Sequence, residues 1–403
     1  MIKNILILFI LMSSAYFFRL VIMSGQLMQL TQLGITTIMF AVILVQEIYG
    51  KSKTIKHNFK YPVFLIFVGV FLSMVAAQSF HNQDFVLTFW AQSFMYYYLF
   101  YFFLHIISPD IRDLEKILLA LGIGYAILYL VQYSIYPTTI LDVRFDVDRG
   151  TIRIFIPGST FMGFALFMSL DRFYKSNKIR YILFAFLFIP VYILTGTRYS
   201  ISITFLVVIA SLLFSKIIRS RYVIYFLFVI SVIPVYLIFQ DIFNAFVDLT
   251  RDQSENFESD IRIRAATFFL TEFFPNTLAY LFGNGQDHMR SLYGIHVNIY
   301  KITQGFYQSD VGFIGEFSKF GLFFATGAIW LLLKALRAPL KSEYAYIKYR
   351  LLVFILVLPV GSTFTNPASI ATLCIIMYII DKNIHELKQE SIYDKLKEDK
   401  KVC

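Results

Sequence analysis

Charge is scarce in this chain and cysteine scarcer: 15% of the 403 residues are Asp, Glu, Lys or Arg, and only two are cysteine. Cys374 lies inside an apolar run and Cys403 at the terminus, so no disulfide framework is expected, and neither belongs to a redox or metal motif. The sequence also lacks a Walker loop, a dinucleotide fingerprint, a nucleophile elbow and a metalloprotease helix, which removes the common nucleotide, redox and hydrolytic chemistries. No inverted or parallel repeat shows in the spacing of the apolar runs. That absence argues against the usual build of a secondary transporter.

What fills the chain instead is hydrocarbon: 58% of residues are hydrophobic and 18% aromatic. One soluble core cannot bury so much apolar surface, so lipid must be its solvent, and the expected fold is all-α, a single polytopic membrane domain over 1–403. The formal charge of +10 would suggest nucleic acid for a soluble protein. Here the cations fall in short segments between apolar runs, where they report topology and anionic headgroups, and no nucleic-acid partner is expected.

Apolar runs of about 17 to 25 residues mark roughly twelve spans, near 3–22, 30–49, 62–78, 86–107, 117–136, 155–173, 181–197, 199–215, 222–239, 311–333, 350–364 and 367–381. The last two share a hinge at Asn366-Pro367 and read as a hairpin or as one kinked, re-entrant element. Met1-Ile2-Lys3 and the apolar stretch to Phe18 read as an uncleaved first span, although Ser13-Ser14-Ala15 loosely mimics a cleavage site. Alternate connections carry Lys51 to Lys60, then Arg112 and Lys116, then Lys175, Lys178 and Arg180, then Lys216, Arg219 and Arg221, then Lys334, Arg337, Lys341, Lys348 and Arg350. By the positive-inside rule these face the cytoplasm with the charged tail 382–403, so both termini lie inside. The outer connections are then 79–85, 137–157, the turn 195–199, and one loop of about seventy residues, 240–310, far beyond an ordinary connection. Within it, 261–274 has the pattern of an amphipathic helix lying in the interface, ended by Pro275 and then Gly283-Asn284-Gly285.

Several arginines face outward against the positive-inside rule: Arg149 and Arg153 before the sixth span, Arg198 in the turn Leu194-Thr195-Gly196-Thr197-Arg198, Arg262 with Arg264 on the amphipathic segment, and Arg290. Each guanidinium fork binds two phosphate oxygens and keeps its proton, so such a cluster suits a diphosphate. The alternative is that they snorkel or pair with Asp142, Asp146, Asp148, Glu255, Glu258 and Asp260, which leaves Arg198, without an acidic neighbour in sequence, as the strongest functional candidate. Asp310, opening the tenth span, reads as a general base for a sugar hydroxyl or as a helix N-cap. Glu316 and Lys319, one helical turn apart, read as an intramembrane pair. His288 and His296 lack metal spacing and are secondary candidates for donating a proton or binding phosphate. Asp146-Val147-Asp148 has the Asp-x-Asp form that holds a divalent cation in many glycosyltransferases, but a match this short is common by chance, and no metal is expected.

Three segments together resemble the O-antigen polymerase and O-antigen ligase group of bacterial envelope proteins. They are Leu194-Thr195-Gly196-Thr197-Arg198-Tyr199-Ser200, then Arg262-Ile263-Arg264 with Phe282-Gly283-Asn284-Gly285, then Tyr307-Gln308-Ser309-Asp310-Val311-Gly312 with Phe320-Gly321-Leu322. The ligases usually carry a His-Asn pair where this chain has Ser309-Asp310, which favours a repeat-unit polymerase (Wzy-type) of O-antigen, capsule or exopolysaccharide. The resemblance implies a GT-C-type membrane glycosyltransferase in the bacterial inner membrane, with its site facing the periplasm and no cofactor. Donor and acceptor would be undecaprenyl-diphosphate-linked oligosaccharides, transfer would be inverting and metal-independent, and a chain-length regulator and a flippase are implied partners. Arg198 with Arg262 or Arg264, joined by Arg153 and Arg149, would hold the departing diphosphate while Asp310 takes the acceptor proton. A ligase and a lipid-linked oligosaccharide flippase are the alternatives.

Overall fold

Inside hydrocarbon a backbone has only itself to bond, and helices supply nearly all the regular structure among the described residues. A computed structural model describes residues 2–21, 25–50, 55–147, 152–214 and 260–402. Its helices are α1 (Ile2–Ser14), α2 (Gly25–Tyr49), α3 (Lys60–His81), α4 (Phe85–Ala91), α5 (Leu99–Ile107), α6 (Ile111–Ile135), α7 (Ser159–Ser176), α8 (Ile179–Leu194) and α9 (Arg198–Phe214). After the long loop begins, they continue as α10 (Ile261–Thr271), α11 (Thr277–Phe282), α12 (Leu292–Gln304), α13 (Gly312–Arg337), α14 (Tyr346–Val357) and α15 (Pro367–Val402). A two-residue hairpin, β1 (Phe145–Asp146) against β2 (Arg153–Ile154), pairs Phe145 with Ile154 and Asp146 with Arg153.

Among the described residues, five helical stretches are long and apolar enough to cross a membrane: Gly25–Tyr49, Lys60–His81, Ile111–Ile135, Gln308–Arg337 and Pro367–Ile392. Four more apolar stretches, Ile2–Ser14, Ser93–Ile107, Ile179–Leu194 and Tyr199–Leu212, are shorter. Of the expected spans, the one near 222–239 lies outside the described residues. The first helix ends at Ser14 rather than near residue 22, because the chain turns there and lays Leu20 against Leu141. The run expected at 86–107 is divided into α4, a 3-10 segment Ser93–Tyr98 and α5. The last apolar run is two helices separated by a nine-residue break, 358–366, with Asn366 capping α15 through its side chain to the Ser369 amide at 3.1 Å.

Small residues set the helix packing, as expected where no hydrophobic force separates helix from lipid. A Cβ on Gly69 of α3 would lie 2.5 Å from the Phe324 amide nitrogen of α13, and one on Gly327 would lie 2.9 Å from the Ile66 nitrogen. Gly122 does the same for α6 against Ala165 of α7. α15 is the central post: 83% of its apolar window is buried, so it meets protein rather than lipid on nearly every face.

Most of the cationic connections gather at one end of this bundle. There Lys334 Nζ donates to the Asn58 carbonyl at 2.5 Å, and Asn58 Nδ2 to Asp381 at 2.8 Å. Lys382 meets the Pro109 carbonyl at 3.0 Å, Lys341 meets Glu390 at 2.8 Å, and Lys175 reaches the Ser342 carbonyl. Both the start of α14 and residue 381 of α15 belong to this end, so the two helices run antiparallel with their break at the opposite one.

Candidate functional site

The described part of the long loop, 260–310, is folded rather than extended. Asp260 caps α10, its carboxylate accepting from the Arg262 amide at 2.7 Å, so it serves the helix and not an arginine side chain. α10 differs from the interfacial helix that its pattern suggests. Ala265, Phe268, Phe269 and Phe273 turn inward, forming an aromatic cluster with Tyr293, Val297, Phe306 and Val311. The helix with an outward apolar stripe is α12, where Leu292, Ile295, Ile299 and Ile302 are exposed at helical spacing.

Arg262 and Arg264 are exposed and enter no ion pair among the described residues. The Arg264 guanidinium sits 5.8 Å from the Phe306 ring centre, and α10 packs on the 3-10 turn Gln308–Val311 that carries Asp310. Asp310 is exposed and accepts from the Ser309 hydroxyl at 3.2 Å. It caps nothing: α13 has Val311 at its N-cap, without a side-chain bond. Arg290 and His296 are exposed, and His288 Nδ1 accepts from the Arg290 amide at 3.2 Å, which fits ordinary loop residues.

What holds this loop down is a pair of polar anchors. Gln83, fully buried between α3 and α4, donates to Thr88 Oγ1 and the Gln286 carbonyl, both at 2.8 Å. Its carbonyl oxygen accepts from the His288 amide at 2.9 Å and the Ser291 hydroxyl at 2.6 Å. The second anchor is the kink at Gly321 in α13, whose φ of 71° only glycine adopts without strain. The interrupted ladder leaves the Ser318 and Lys319 carbonyls to accept from the amides of Asn284, at 3.1 Å, and Gly285, at 2.8 Å. His81 adds a bond to Asn284 Oδ1 at 2.9 Å and stacks on Tyr293.

A second set of candidates meets at the turn 195–198. Arg153 donates through Nε to the Thr195 carbonyl at 3.3 Å and through Nη1 to its cross-strand neighbour Asp146 at 3.0 Å. Asp146 thus balances a guanidinium, consistent with the pairing alternative for this arginine. Tyr129 ties turn to hairpin, donating to the Leu194 carbonyl at 2.9 Å and accepting from the Ile154 amide at 3.4 Å. Arg198 is the first residue of α9. Its side chain lies outside the described structure, as do Asp148 and Arg149 altogether.

Behind this turn opens a cavity of about 290 Å³. Thr195, Thr197 and Ser200 line one wall, the α7 start with Ser159 and Thr160 another, and Ser362 and Thr363 of the break a third. Its one charged lining residue among the described residues is Arg350. Grouped by sequence with the cytoplasmic cations, Arg350 is instead buried in the bundle at 6% exposure, because the apolar run has already begun at that point of α14. Sequence charge counting missed it; the signal available was seven apolar residues following it directly, Leu351 to Val357.

The break 358–366 is the wall between the two sets. Gly361 to Thr363 and Asn366 face the cavity, while the Leu358 carbonyl accepts from the Phe313 amide at 2.8 Å, three residues from Asp310. Glu316 does not pair with Lys319. One of its oxygens accepts from the Phe364 amide at 2.9 Å, the Thr365 amide at 3.1 Å and the Thr365 hydroxyl at 3.0 Å, since a chain break inside a membrane bundle needs acceptors for its exposed amides. The structure therefore packs the helix of Arg264 on the turn of Asp310 without bringing the two side chains into a bond, ties Arg153 to the 195–198 turn, and sets the break between the two groups. It brings neither His288 nor His296 into the cavity lining. No protein-family model matches the chain, and a comparison with curated proteins finds no match.

Proposed function

We propose that this chain is a membrane glycosyltransferase of about twelve spans and GT-C type that joins undecaprenyl-diphosphate-linked oligosaccharides into O-antigen, capsule or exopolysaccharide. What carries the reading is the break 358–366, with a hydroxyl-lined, arginine-bearing cavity beside the 195–198 turn on one side and the Asp310 turn on the other. An acceptor hydroxyl attacks the donor's anomeric carbon, and the bond from that carbon to the diphosphate oxygen breaks with inversion. Asp310, accessible at its turn, takes the hydroxyl proton. Fixed guanidiniums, Arg198 first, stabilise the charge that grows on the lipid diphosphate as it leaves. Arg262, Arg264 and Arg153 are the further cations of this scheme, and a flippase and chain-length regulator its implied partners.

The test supplies lipid-linked repeats to the purified protein, with and without chelator, and separates products on a gel. A ladder of lengthened chains is expected, insensitive to chelator. Arg198→Ala and Asp310→Ala should leave single repeats, and unchanged chain length in both would reject the assignment. Sugar moved onto a lipid A core would identify a ligase. Translocation of repeats across vesicles without extension would identify a flippase.

A further inference from the structure

Arg350 is a buried cation that its described neighbours do not balance. Its Nη2 donates to Thr160 Oγ1 at 2.7 Å, its Nε meets no acceptor, and no carboxylate pairs with it among the described residues. The Phe354 ring covers it, 4.4 Å from guanidinium carbon to ring centre. Removing a guanidinium from water without a counter-charge is strongly unfavourable, so a site that keeps one points to negative charge arriving from elsewhere.

The cavity around it says which anion. Among the described residues, nine of its lining residues are Ser or Thr and none is Asp or Glu. Thr195 and Thr197 donate their protons to the Tyr192 and Thr195 carbonyls, at 2.7 and 3.3 Å, and the other seven hydroxyls, from separate elements, converge on the cavity from several directions. A carboxylate, with two coplanar oxygens, would leave most of them idle, whereas a tetrahedral phosphoryl group with oxygens on every side would use them. A neutral sugar would satisfy hydroxyls but leave Arg350 uncompensated. Thr197 and Asn366, both exposed, stand at the mouth, and Arg350 is deeply buried behind them. The volume suits a diphosphate, since small-molecule sites begin at roughly 300 Å³.

We propose that this cavity is a phosphoryl-binding site and that Arg350 is its interior anchor. The site rests on its own geometry; that its occupant in the cell is a lipid-linked diphosphate rests on the function proposed above.

The experiment uses the full chain in lipid nanodiscs, titrated with inorganic pyrophosphate in one arm and with a polyprenyl diphosphate incorporated in the bilayer in the other. Wild type should bind at least one, with a raised melting temperature. Arg350→Gln should weaken that binding at least tenfold, and Arg350→Lys should fall between because it keeps the charge but loses the fork. Without anion, Arg350→Gln should melt no lower than wild type, since it removes an uncompensated buried charge; a purely structural arginine would leave the variant less stable. Binding confined to the lipid form identifies the membrane as the source, and equal binding of both forms admits free pyrophosphate. Should Arg350→Gln fail to fold, Thr160→Val, which removes the hydroxyl orienting the guanidinium, should weaken binding several-fold. Equal affinities in wild type and these variants, or no binding of either anion to wild type, overturn the proposal. Normal polymer from Arg350→Gln would refute the anchor and leave the polymerase reading standing, whereas anion binding without polymer in any variant would do the reverse.

Discussion

A single side chain can fasten a loop when all its bonding capacity is spent, and Gln83 meets that condition with two bonds donated and two accepted at zero exposure. Replacing it by leucine keeps the volume and orphans the His288 amide and the Gln286 carbonyl, while the Ser291 hydroxyl keeps the His288 carbonyl as its acceptor. The expected cost is about 1–3 kcal/mol for each group left without water. Gln83→Leu should therefore lower the melting temperature and expose 284–291 to protease while helical content stays constant; unchanged protease resistance would show that the clasp holds nothing. At this scale the sequence was legible where a residue's role depends on near neighbours. Arg264 and Asp310 were picked out separately and lie on packed elements. Glu316 was misread because helical spacing points it at Lys319, while its true partners, Phe364 and Thr365, come from a break 48 and 49 residues further on.

Among elements, α13 depends most on one backbone angle. At Gly321 a Cβ would collide with the Leu281 carbonyl and the Gly283 amide, and φ of 71° is strained for any L side chain. Gly321→Ala should straighten the helix, withdraw the Ser318 and Lys319 carbonyls from the loop, and raise amide exchange at Asn284 and Gly285. The matched control is Gly34→Ala in α2, where nothing lies within 4 Å. There alanine should stabilise by about 0.5–1 kcal/mol, the ordinary helix gain. If both variants melt alike, the kink is not what docks the loop. Helix positions were largely readable from apolar runs, but the interior of 240–310 was not. Treating it as one connection with one helix hid α11 and α12, although Leu292, Ile295, Ile299 and Ile302 carry a readable helical period. It also assigned the lipid-facing role to α10, whose aromatics prefer one another.

For the molecule as a whole, the separation of its two ends is the property most open to direct test. Cationic connections distant in sequence converge at one end, as alternation of charge between apolar runs anticipates. Cysteines placed at Asp84 and Arg290 in a Cys403→Ser background should react with a membrane-impermeant maleimide in intact cells. Those at Lys116 and Lys178 should react only after permeabilisation, and Cys374, fully buried, should stay silent. Equal labelling of both pairs would overturn the two-ended arrangement. Twelve spans are expected, and among the described residues five stretches have the length and apolarity to cross; the hinge at Asn366-Pro367 is legible in the sequence, whereas the break at Ser93 depends on packing that no local pattern encodes. The docking at Gly321 has an evolutionary consequence. Its hydrogen bonds run to main-chain carbonyls from the amides of Asn284 and Gly285 and from the Asn284 side chain, so they ask of the loop two glycines, one asparagine and a register. Exposed side chains of 260–310, outside the Gln83 clasp and the aromatic cluster, are then free to drift, and lineages descended from such a chain can exchange one partner molecule for another without rebuilding the kink that holds the loop in place.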